Sequence, residues 1–524
     1  MRRFTLVLLL LAALLSVSAV FAQDEEQVLV VGHAESTDSL DPARGYTQTT
    51  GIINRVTYDT LVTFPDADAS AIVPLLATDW TVSEDGLTYT FNLNPAAVFA
   101  NGDPVTADDV VFSVNRLKNV QGTPSFLAAN IASVTADDAD TVTFTLSAVD
   151  PAFLANLAAN PFAITNDTQV IDAGGSADAD AATTDTAEAA LNQTSAGSGP
   201  YVLESWEPQV ETVLVRNENY WGEAPYFDRI VIVNIPEAAT QKVALESGEI
   251  DIALDLTSDQ LATMTDNPDL TIASSLGNIV HFLLMNNDPE LGGPVSDPRV
   301  QLAIRYALDY PGYAALWGGV TPASPLAIGQ LGAYGTDMAF VRDLDRAREL
   351  LSEAGYPDGF EITLSYPVFT FQGVNMDTNA QKIQADLAEV GITVNLNPGE
   401  LQVSLEEYRA GQQGFAYWFW GPDFLDPIDV LSFLPDGKVG GERANWTSEN
   451  AEQVILDLRD QAAVESDPEA RVALFQQIQD YLRERGPWAP FLQPNVQTAF
   501  RADIEGYVWH PQWLINLALL SRAE

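Results

Sequence analysis

The stretch from Pro298 to Trp420 restricts the fold most, because helical and strand patterns alternate along it. The helical patterns cover 298–308, 344–354 after the cap residue Asp343, and 378–390. The strand patterns cover 361–366, 392–396 and 415–420. Strand–helix–strand order at these lengths predicts an α/β unit whose sheet is largely parallel and packed against helices. Ligands of such sheets bind beyond the carboxyl ends of the strands.

The last of these strands leads into a candidate binding site. Residues 415–420 read Phe-Ala-Tyr-Trp-Phe-Trp, Gly421 and Pro422 end the strand, and Asp423 follows. A carboxylate walled by aromatic side chains and shielded from water attracts an ammonium group strongly. Alternation along the strand places Trp418 and Trp420 on one face. The alternative interpretation is that Asp423 only caps a turn and that the aromatic residues belong to the hydrophobic core.

The N-terminal half follows a different plan, with local α+β units. A hairpin is predicted within 80–93, and a second one joins 131–134 to 142–146. Between them Thr106 is predicted to cap a helix, with Asp109 completing a capping box. Residues 174–197 are rich in Ala, Asp, Thr and Gly. Their composition predicts a surface loop or a disordered excursion, although the Ala content allows a short helix near 187–191.

The N-terminus carries the pattern of an export signal. Arg2 and Arg3 precede the apolar run 6–15, and small residues stand before Gln23. Residues 1–22 are therefore predicted to be a cleaved signal peptide. The chain has no Cys, so it can form neither a disulfide nor a lipid-modified cysteine after the signal. The predicted location is the periplasm or the extracellular medium. At 524 residues, the chain is long enough for two or three domains.

The charge balance excludes one class of partner. With 24 basic and 73 acidic residues, the formal net charge is −49. Nucleic-acid binding requires a basic surface, so no nucleic acid is expected as a partner. Such an acidic surface either keeps an exported protein soluble or steers cationic ligands toward it. The scattered distribution of the acidic residues favours the first interpretation.

The sequence lacks the common catalytic and metal-binding motifs. The three histidines, His33, His281 and His510, lie far apart, and no His or Cys stands at metal-ligand spacing from them. No Gly-x-Ser-x-Gly elbow and no phosphate-binding Gly-rich loop occurs. We therefore expect neither an enzyme nor a protein with a metal or cofactor. A pair of carboxylates for glycoside hydrolysis is the enzymatic alternative that composition leaves open.

An ordered series of short motifs spans most of the chain after the signal segment. They are LDP from Leu40, LATDW from Leu76 followed by DGLTYTF, NGDPVTADDVVFS from Asn101, GSGPY from Gly197, NYWG from Asn219, GEID from Gly248 and DPRV from Asp297. In this order they resemble the extracytoplasmic solute-binding proteins of the peptide/nickel class, which are receptors of ABC importers. The resemblance covers nearly the whole mature chain.

The resemblance implies an α/β fold: a two-lobed periplasmic-binding-protein clamp, type II-like, with an extra α+β subdomain. Lobe I would be discontinuous, the subdomain would be part of it, and two hinge segments would connect it to lobe II. The implied spans are 27–60, 197–283 and 497–524 for lobe I, 61–196 for the subdomain, 284–496 for lobe II, and 282–287 and 493–498 for the hinges.

Trp420 and Asp423 match the family's Trp-x-x-Asp element, whose Asp accepts the α-ammonium of the ligand in similar peptide-binding members. The resemblance thus implies a monomeric receptor that binds short peptides and delivers them to the membrane subunits of an ABC permease. The predicted ligand-binding residues are Asp423, Trp420, Trp418 and Trp446. An oligosaccharide stacked on the same tryptophans is the alternative ligand, and nickel or a metal chelate is a weaker one.

Overall fold

The structure, a computed structural model, describes residues 26–371, 374–422 and 424–523. In these ranges the chain forms three sheets of four or more strands and several two-stranded ones. The predicted signal peptide 1–22 lies outside the described residues. Among the helices in these ranges, none combines the length and the apolar character that crossing a membrane requires.

The seven-stranded sheet joins segments that are far apart in sequence. Its strands, in spatial order, are Leu270–Leu276, Asn495–Arg501, Ile252–Ala253, Val28–His33, Arg229–Asn234, Glu211–Arg216 and Tyr201–Glu207. Val28–His33 pairs in parallel with both of its neighbours, and the other pairs are antiparallel. Five of the seven strands therefore have their carboxyl ends at one end of this sheet, and three of the five, Ile252–Ala253, Val28–His33 and Arg229–Asn234, are neighbours.

The five-stranded sheet contains the aromatic strand. Its order is Ile392–Gly399, Phe360–Pro367, Phe415–Trp420, Val280–Met285 and Trp488–Leu492. The first three strands are parallel, as the strand–helix–strand pattern predicts. Val280–Met285 runs antiparallel to both of its neighbours and is buried along its whole length. The predicted alternation is confirmed, because Trp418 and Trp420 pack in one apolar cluster and Tyr417 and Phe419 in another.

The four-stranded sheet is the predicted α+β unit. Its order is Ala77–Val82, Thr88–Leu93, Thr141–Leu146 and Ile131–Ala136. Both predicted hairpin pairs are present, although Thr141–Leu146 also joins them into one sheet. The helix Ala107–Val120 begins with the predicted capping box of Thr106 and Asp109. Local sequence signals therefore account for this unit almost completely.

Helices connect and cover the sheets. The longer ones are Gln48–Thr57, Ala107–Val120, Ala238–Ser247, Pro298–Ala307, Tyr310–Trp317, Leu344–Glu353, Met376–Ala388, Leu401–Arg409, Gln453–Ala462 and Pro468–Glu484. The shorter ones are Phe153–Leu157, Asp167–Asp172, Ala181–Thr184, Glu188–Leu191, Ser258–Ala262, Pro289–Gly292 and Gly440–Ala444. The short strand pairs are Val62–Thr63 with Val73–Pro74, Thr370–Phe371 with Val374–Asn375, Ile504–Glu505 with Ser521–Arg522, and Trp509–His510 with Leu514–Ile515.

The segment 174–197 is folded against the helix Ala107–Val120, which corrects the prediction of a surface loop or disorder. Its Asp185 is enclosed and accepts a hydrogen bond from Arg116 Nε at 2.8 Å. Leu191 is buried in the same region. The prediction failed because composition shows few large apolar residues but cannot show a buried ion pair that holds a segment in place.

The chain crosses between the two larger sheets at two places. Residues 277–279 connect Leu270–Leu276 to Val280–Met285, and residues 493–494 connect Trp488–Leu492 to Asn495–Arg501. The second crossing lies at the start of the predicted hinge 493–498. The first crossing precedes the predicted hinge 282–287. That hinge prediction is wrong, because residues 282–285 lie inside a buried strand. We call residues 277–279 and 493–494 the crossings.

Candidate functional site

The parallel strands of both larger sheets point their carboxyl ends toward the crossings. In the five-stranded sheet, Val280, which directly follows the first crossing, pairs with Trp420 at the end of its strand. In the seven-stranded sheet, Ala253 pairs with Ala499, so the chain beyond Ala253 approaches residues 495–498. Ligands of open α/β sheets bind just beyond the carboxyl ends of the strands. The candidate site is therefore the cleft between these ends of the two sheets, beside the crossings.

Gln493 ties the two crossings together. Its side chain is fully buried, and Nε2 donates to the carbonyl oxygens of Gly277 at 2.6 Å and of Ile328 at 2.9 Å. Its Oε1 accepts from the Ile328 N–H at 2.8 Å. The Gly277 N–H in turn donates to the Pro494 carbonyl oxygen at 3.0 Å. One amide therefore holds both crossings and the loop around Ile328 in a fixed relation.

Replacing Gln493 by Leu should destabilise the protein by about 2 kcal/mol or more, since each backbone group left unpaired away from water costs about 1–3 kcal/mol. Urea unfolding measures the change. The matched control is Gln477→Leu on an exposed helix face, which should change the free energy of unfolding by less than about 0.5 kcal/mol. Equal stabilities of the two variants would contradict the role assigned to Gln493.

The seven-stranded sheet contributes one wall of the cleft, around a space of ≈ 510 Å³. His33, the last residue of Val28–His33, and Asp255, two residues past Ile252–Ala253, both lie in this wall. His33 Nδ1 lies 2.8 Å from Asp255 Oδ2, which also accepts the Ala34 N–H at 2.7 Å. Burial disfavours the charged Asp255, but hydrogen bonds from His33, Ala34 and Gln241 outweigh it and lower the carboxyl pKa. Asp255 is therefore ionised at neutral pH.

The five-stranded sheet contributes Trp420 to the other wall. Trp420 is half-buried, and its Nε1 donates to Asp429 Oδ2 at 2.6 Å. The edge of the indole packs against Phe433, with ring centroids 5.6 Å apart. Trp420 lines a small cavity together with Asn278 of the first crossing. The indole is therefore held in place and stands beside the crossings.

The other predicted ligand contacts are less accessible or lie elsewhere. Trp418 is 3% exposed, stacks on Tyr408 at 4.4 Å and donates from Nε1 to Gln413 at 2.8 Å. Trp446 is 4% exposed and borders a separate cavity beside Asn287. That cavity lies past the carboxyl end of Val280–Met285, the end remote from the first crossing. The structure therefore does not bring Trp446 to the cleft.

Asp423 lies outside the described residues, but its sequence neighbours on both sides are described. Trp420 and Pro422 precede it and line the cavity beside the first crossing. Leu425 follows it and is buried in the apolar cluster of the four-stranded sheet, against which Phe424 also packs. The described residues before this position therefore lie at the five-stranded sheet, and those after it pack against the α+β unit.

Sequence reasoning missed His33, Glu35 and Asp255 as cleft residues. The rule that pointed to Asp423 applies to them as well, because each lies at the end of a short apolar strand or within two residues of it. What the sequence lacks is the pairing of Val28–His33 with Ile252–Ala253, which joins residues more than 200 positions apart. Among the described residues, no group of three or more His, Asp or Glu side chains is arranged to hold a metal ion.

Comparison with known proteins agrees with this architecture. The family "Bacterial extracellular solute-binding proteins, family 5 Middle" matches residues 71–441. A probable D,D-dipeptide-binding periplasmic protein of Escherichia coli (strain K12) is 28% identical, over 99% of this chain and 99% of the relative.

Two solved structures have the same fold. HbpA2 of Haemophilus parasuis superposes with a TM-score of 0.83 at 24% identity, over 95% of this chain and 100% of that one. The periplasmic binding protein DppA of Helicobacter pylori, in complex with the peptide STSA, gives 0.73 at 25% identity, over 95% and 99%. The fold is thus the predicted two-lobed α/β clamp, and the chain belongs to the bacterial extracellular solute-binding proteins of family 5.

Proposed function

We propose that the protein is the substrate-binding component of an ABC importer and binds short peptides in the cleft between its lobes. The observation that carries the proposal is the arrangement of the two sheets, whose parallel strands point their carboxyl ends toward the crossings, with a cavity at that end of the seven-stranded sheet. Family membership and the relatives named for dipeptide binding or solved with a bound peptide support the ligand class.

The proposed lobes follow the crossings. Lobe I comprises about 27–60, 197–276 and 495–524, the extra subdomain 61–196 belongs to it, and lobe II comprises about 280–492. Rotation about the crossings would close the lobes on the ligand, as in other hinged binding proteins. Closure excludes water and strengthens each polar contact with the ligand.

The proposed ligand contacts lie on both lobes. Trp420 forms an aromatic wall, and Asp423 accepts the peptide's α-ammonium group. Trp418, which is buried beneath the same sheet face, holds this wall in place instead of contacting the ligand. On lobe I, His33, Glu35 and Asp255 face the same ligand.

The setting of the proposed function is outside the cytoplasm. Residues 1–22 would direct export and be removed. The mature protein would act as a monomer, take up a peptide, and deliver it to the membrane subunits of the permease. Catalysis has no part in this cycle.

Peptides of two to five residues should raise the thermal unfolding temperature of the purified protein. A ligand present at a hundred times its Kd stabilises the folded state by about 2.7 kcal/mol. Differential scanning fluorimetry with a peptide set and with cello- and xylo-oligosaccharides measures this shift. A shift with the oligosaccharides alone would contradict the proposal and establish the alternative ligand class.

A further inference from the structure

A short segment of lobe II, residues 424–426, packs against the extra subdomain. Leu425 is 8% exposed and belongs to the apolar cluster of the four-stranded sheet, and Phe424 packs against the same cluster. The other buried members of this cluster come from residues 61–164, together with Trp513. Among the described residues, Leu425 is thus the buried cluster member that lobe II supplies. Its side chain reaches across the boundary between lobe II and the subdomain.

Charged side chains accompany this apolar contact. On the lobe II side, Arg471 donates a hydrogen bond to Asp426, and both residues are 7% exposed. On the subdomain side, burial raises the pKa of the Asp150 carboxyl group, while the charge of Asp426 adds to the rise and that of Arg471 opposes it. Such effects require charges at short range, so the ion pair of lobe II lies beside the subdomain carboxylate. The two sides of the boundary therefore meet through polar as well as apolar groups.

The subdomain is attached to lobe I by separate contacts. Trp513, near the end of the chain, is 1% exposed within the apolar cluster of the subdomain. Arg116 of the subdomain bonds Asp41 of lobe I at 2.7 and 2.6 Å, and both side chains are buried. The chain itself connects lobe II to the rest of the protein at the two crossings. The contact at 424–426 is therefore a further, non-covalent link, far in sequence from either crossing.

We propose that the subdomain is a docking surface for lobe II, on which residues 424–426 are seated when the lobes close and from which they separate when the lobes open. This inference rests on the part of the proposed function that lets two lobes rotate about the crossings. Such a rotation parts the contact, because close-packed side chains cannot follow a moving partner without opening a gap. Burial of Phe424 and Leu425 therefore favours the closed form independently of the ligand.

A docking contact of this kind acts on every ligand alike. The apparent affinity of a receptor is reduced by the fraction of molecules in the binding-competent form. Loss of the Leu425 contact lowers the closed fraction, so it weakens the binding of all ligands by one common factor. A contact that persists in both forms would behave differently, because its loss would lower the unfolding temperature and leave the affinities unchanged.

The test compares Leu425→Ala with the wild type in two measurements. In calorimetry with a set of tripeptides, the variant should bind each tripeptide about tenfold or more weakly, by the same factor for all. Since the chain has no Cys, spin labels attached at Val82→Cys and Val454→Cys report the distance between the subdomain and lobe II. Both positions are exposed. Without added peptide, Leu425→Ala should shift the measured distance distribution toward longer distances.

The matched control is Leu351→Ala, which removes the same atoms from an apolar cluster that lies wholly within lobe II. It should lower the unfolding temperature and change neither the affinities nor the distances. Phe424 is half-buried, and Phe424→Ala should act in the same direction as Leu425→Ala and replaces it if that variant fails to fold.

The possible results separate the inference from the proposed function. An unchanged distance distribution in Leu425→Ala overturns the inference and leaves the proposed function standing. Weakening confined to one tripeptide overturns it too, because that result identifies a direct ligand contact. If the wild type binds no peptide, the proposed ligand class is wrong, and the distance measurement alone decides whether the subdomain docks lobe II.

Discussion

Replacing Arg116 by Met is expected to destabilise the protein by about 3–5 kcal/mol, the cost of leaving a buried charge unpaired. Arg116 bonds Asp41 through Nη1 at 2.7 Å and Nη2 at 2.6 Å, and Asp185 through Nε at 2.8 Å. Both carboxylates are fully enclosed. Arg44 lies 3.1 Å from Asp185 and compensates only in part, because it is itself partly exposed.

The loss should depend on pH with a definite sign. Burial raises the pKa of Asp185, but Arg116, Ser176 and Arg44 outweigh it and hold this pKa below its ordinary value. The wild-type pair therefore contributes stability above the ordinary carboxylate pKa and loses it as the pH falls through the lowered one. In Arg116→Met the carboxylates can avoid burial of charge by taking up protons, so the destabilisation should be smaller at pH 4 than at pH 7.

Urea unfolding of both proteins at the two pH values measures this difference. The matched control is Arg348→Met, because Arg348 is half-exposed and its partner Asp345 is 93% exposed. Its effect should stay below about 0.5 kcal/mol at either pH. A similarly small effect of Arg116→Met would show that the buried ion pairs do not hold the segment 174–197.

Replacing Asp423 by Asn should weaken peptide binding about 30-fold or more, since truncating one partner of a buried charge pair costs about 2–5 kcal/mol. The fold should be unaffected, because the neighbouring residues Pro422 and Leu425 keep their contacts on both sides of the loop. Calorimetry with one tripeptide and its N-acetylated form measures the effect. Glu223→Gln, at an exposed position, controls for the loss of one negative charge.

Acetylation identifies the group that Asp423 binds. If Asp423 accepts the α-ammonium, the acetylated peptide should bind the wild type weakly and bind Asp423→Asn with the same low affinity. If acetylation weakens binding to both proteins by the same factor, the amine is recognised elsewhere in the cleft.

Local signals in the sequence predicted the elements that depend on local interactions. The helix Leu344–Glu353 begins directly after Asp343, the predicted cap, whose carboxylate accepts the Arg346 N–H. The capping box of Thr106 and the alternation along Phe415–Trp420 are equally local. Motif order added the family and with it the two-lobed fold, which the family match confirms.

Contacts between distant residues decided the rest. His33 and Asp255 are 222 positions apart and form one wall because their strands are parallel neighbours. Gln493 binds the other crossing at Gly277, which is 216 positions away. Asp185 is ordered by Arg116, a partner that composition cannot indicate. Capping and periodicity reflect interactions within a few residues, whereas strand pairing and burial of charge are set by the whole fold. The sequence by itself therefore determined the elements and the family, and only the tertiary structure decided which charged groups face the cleft.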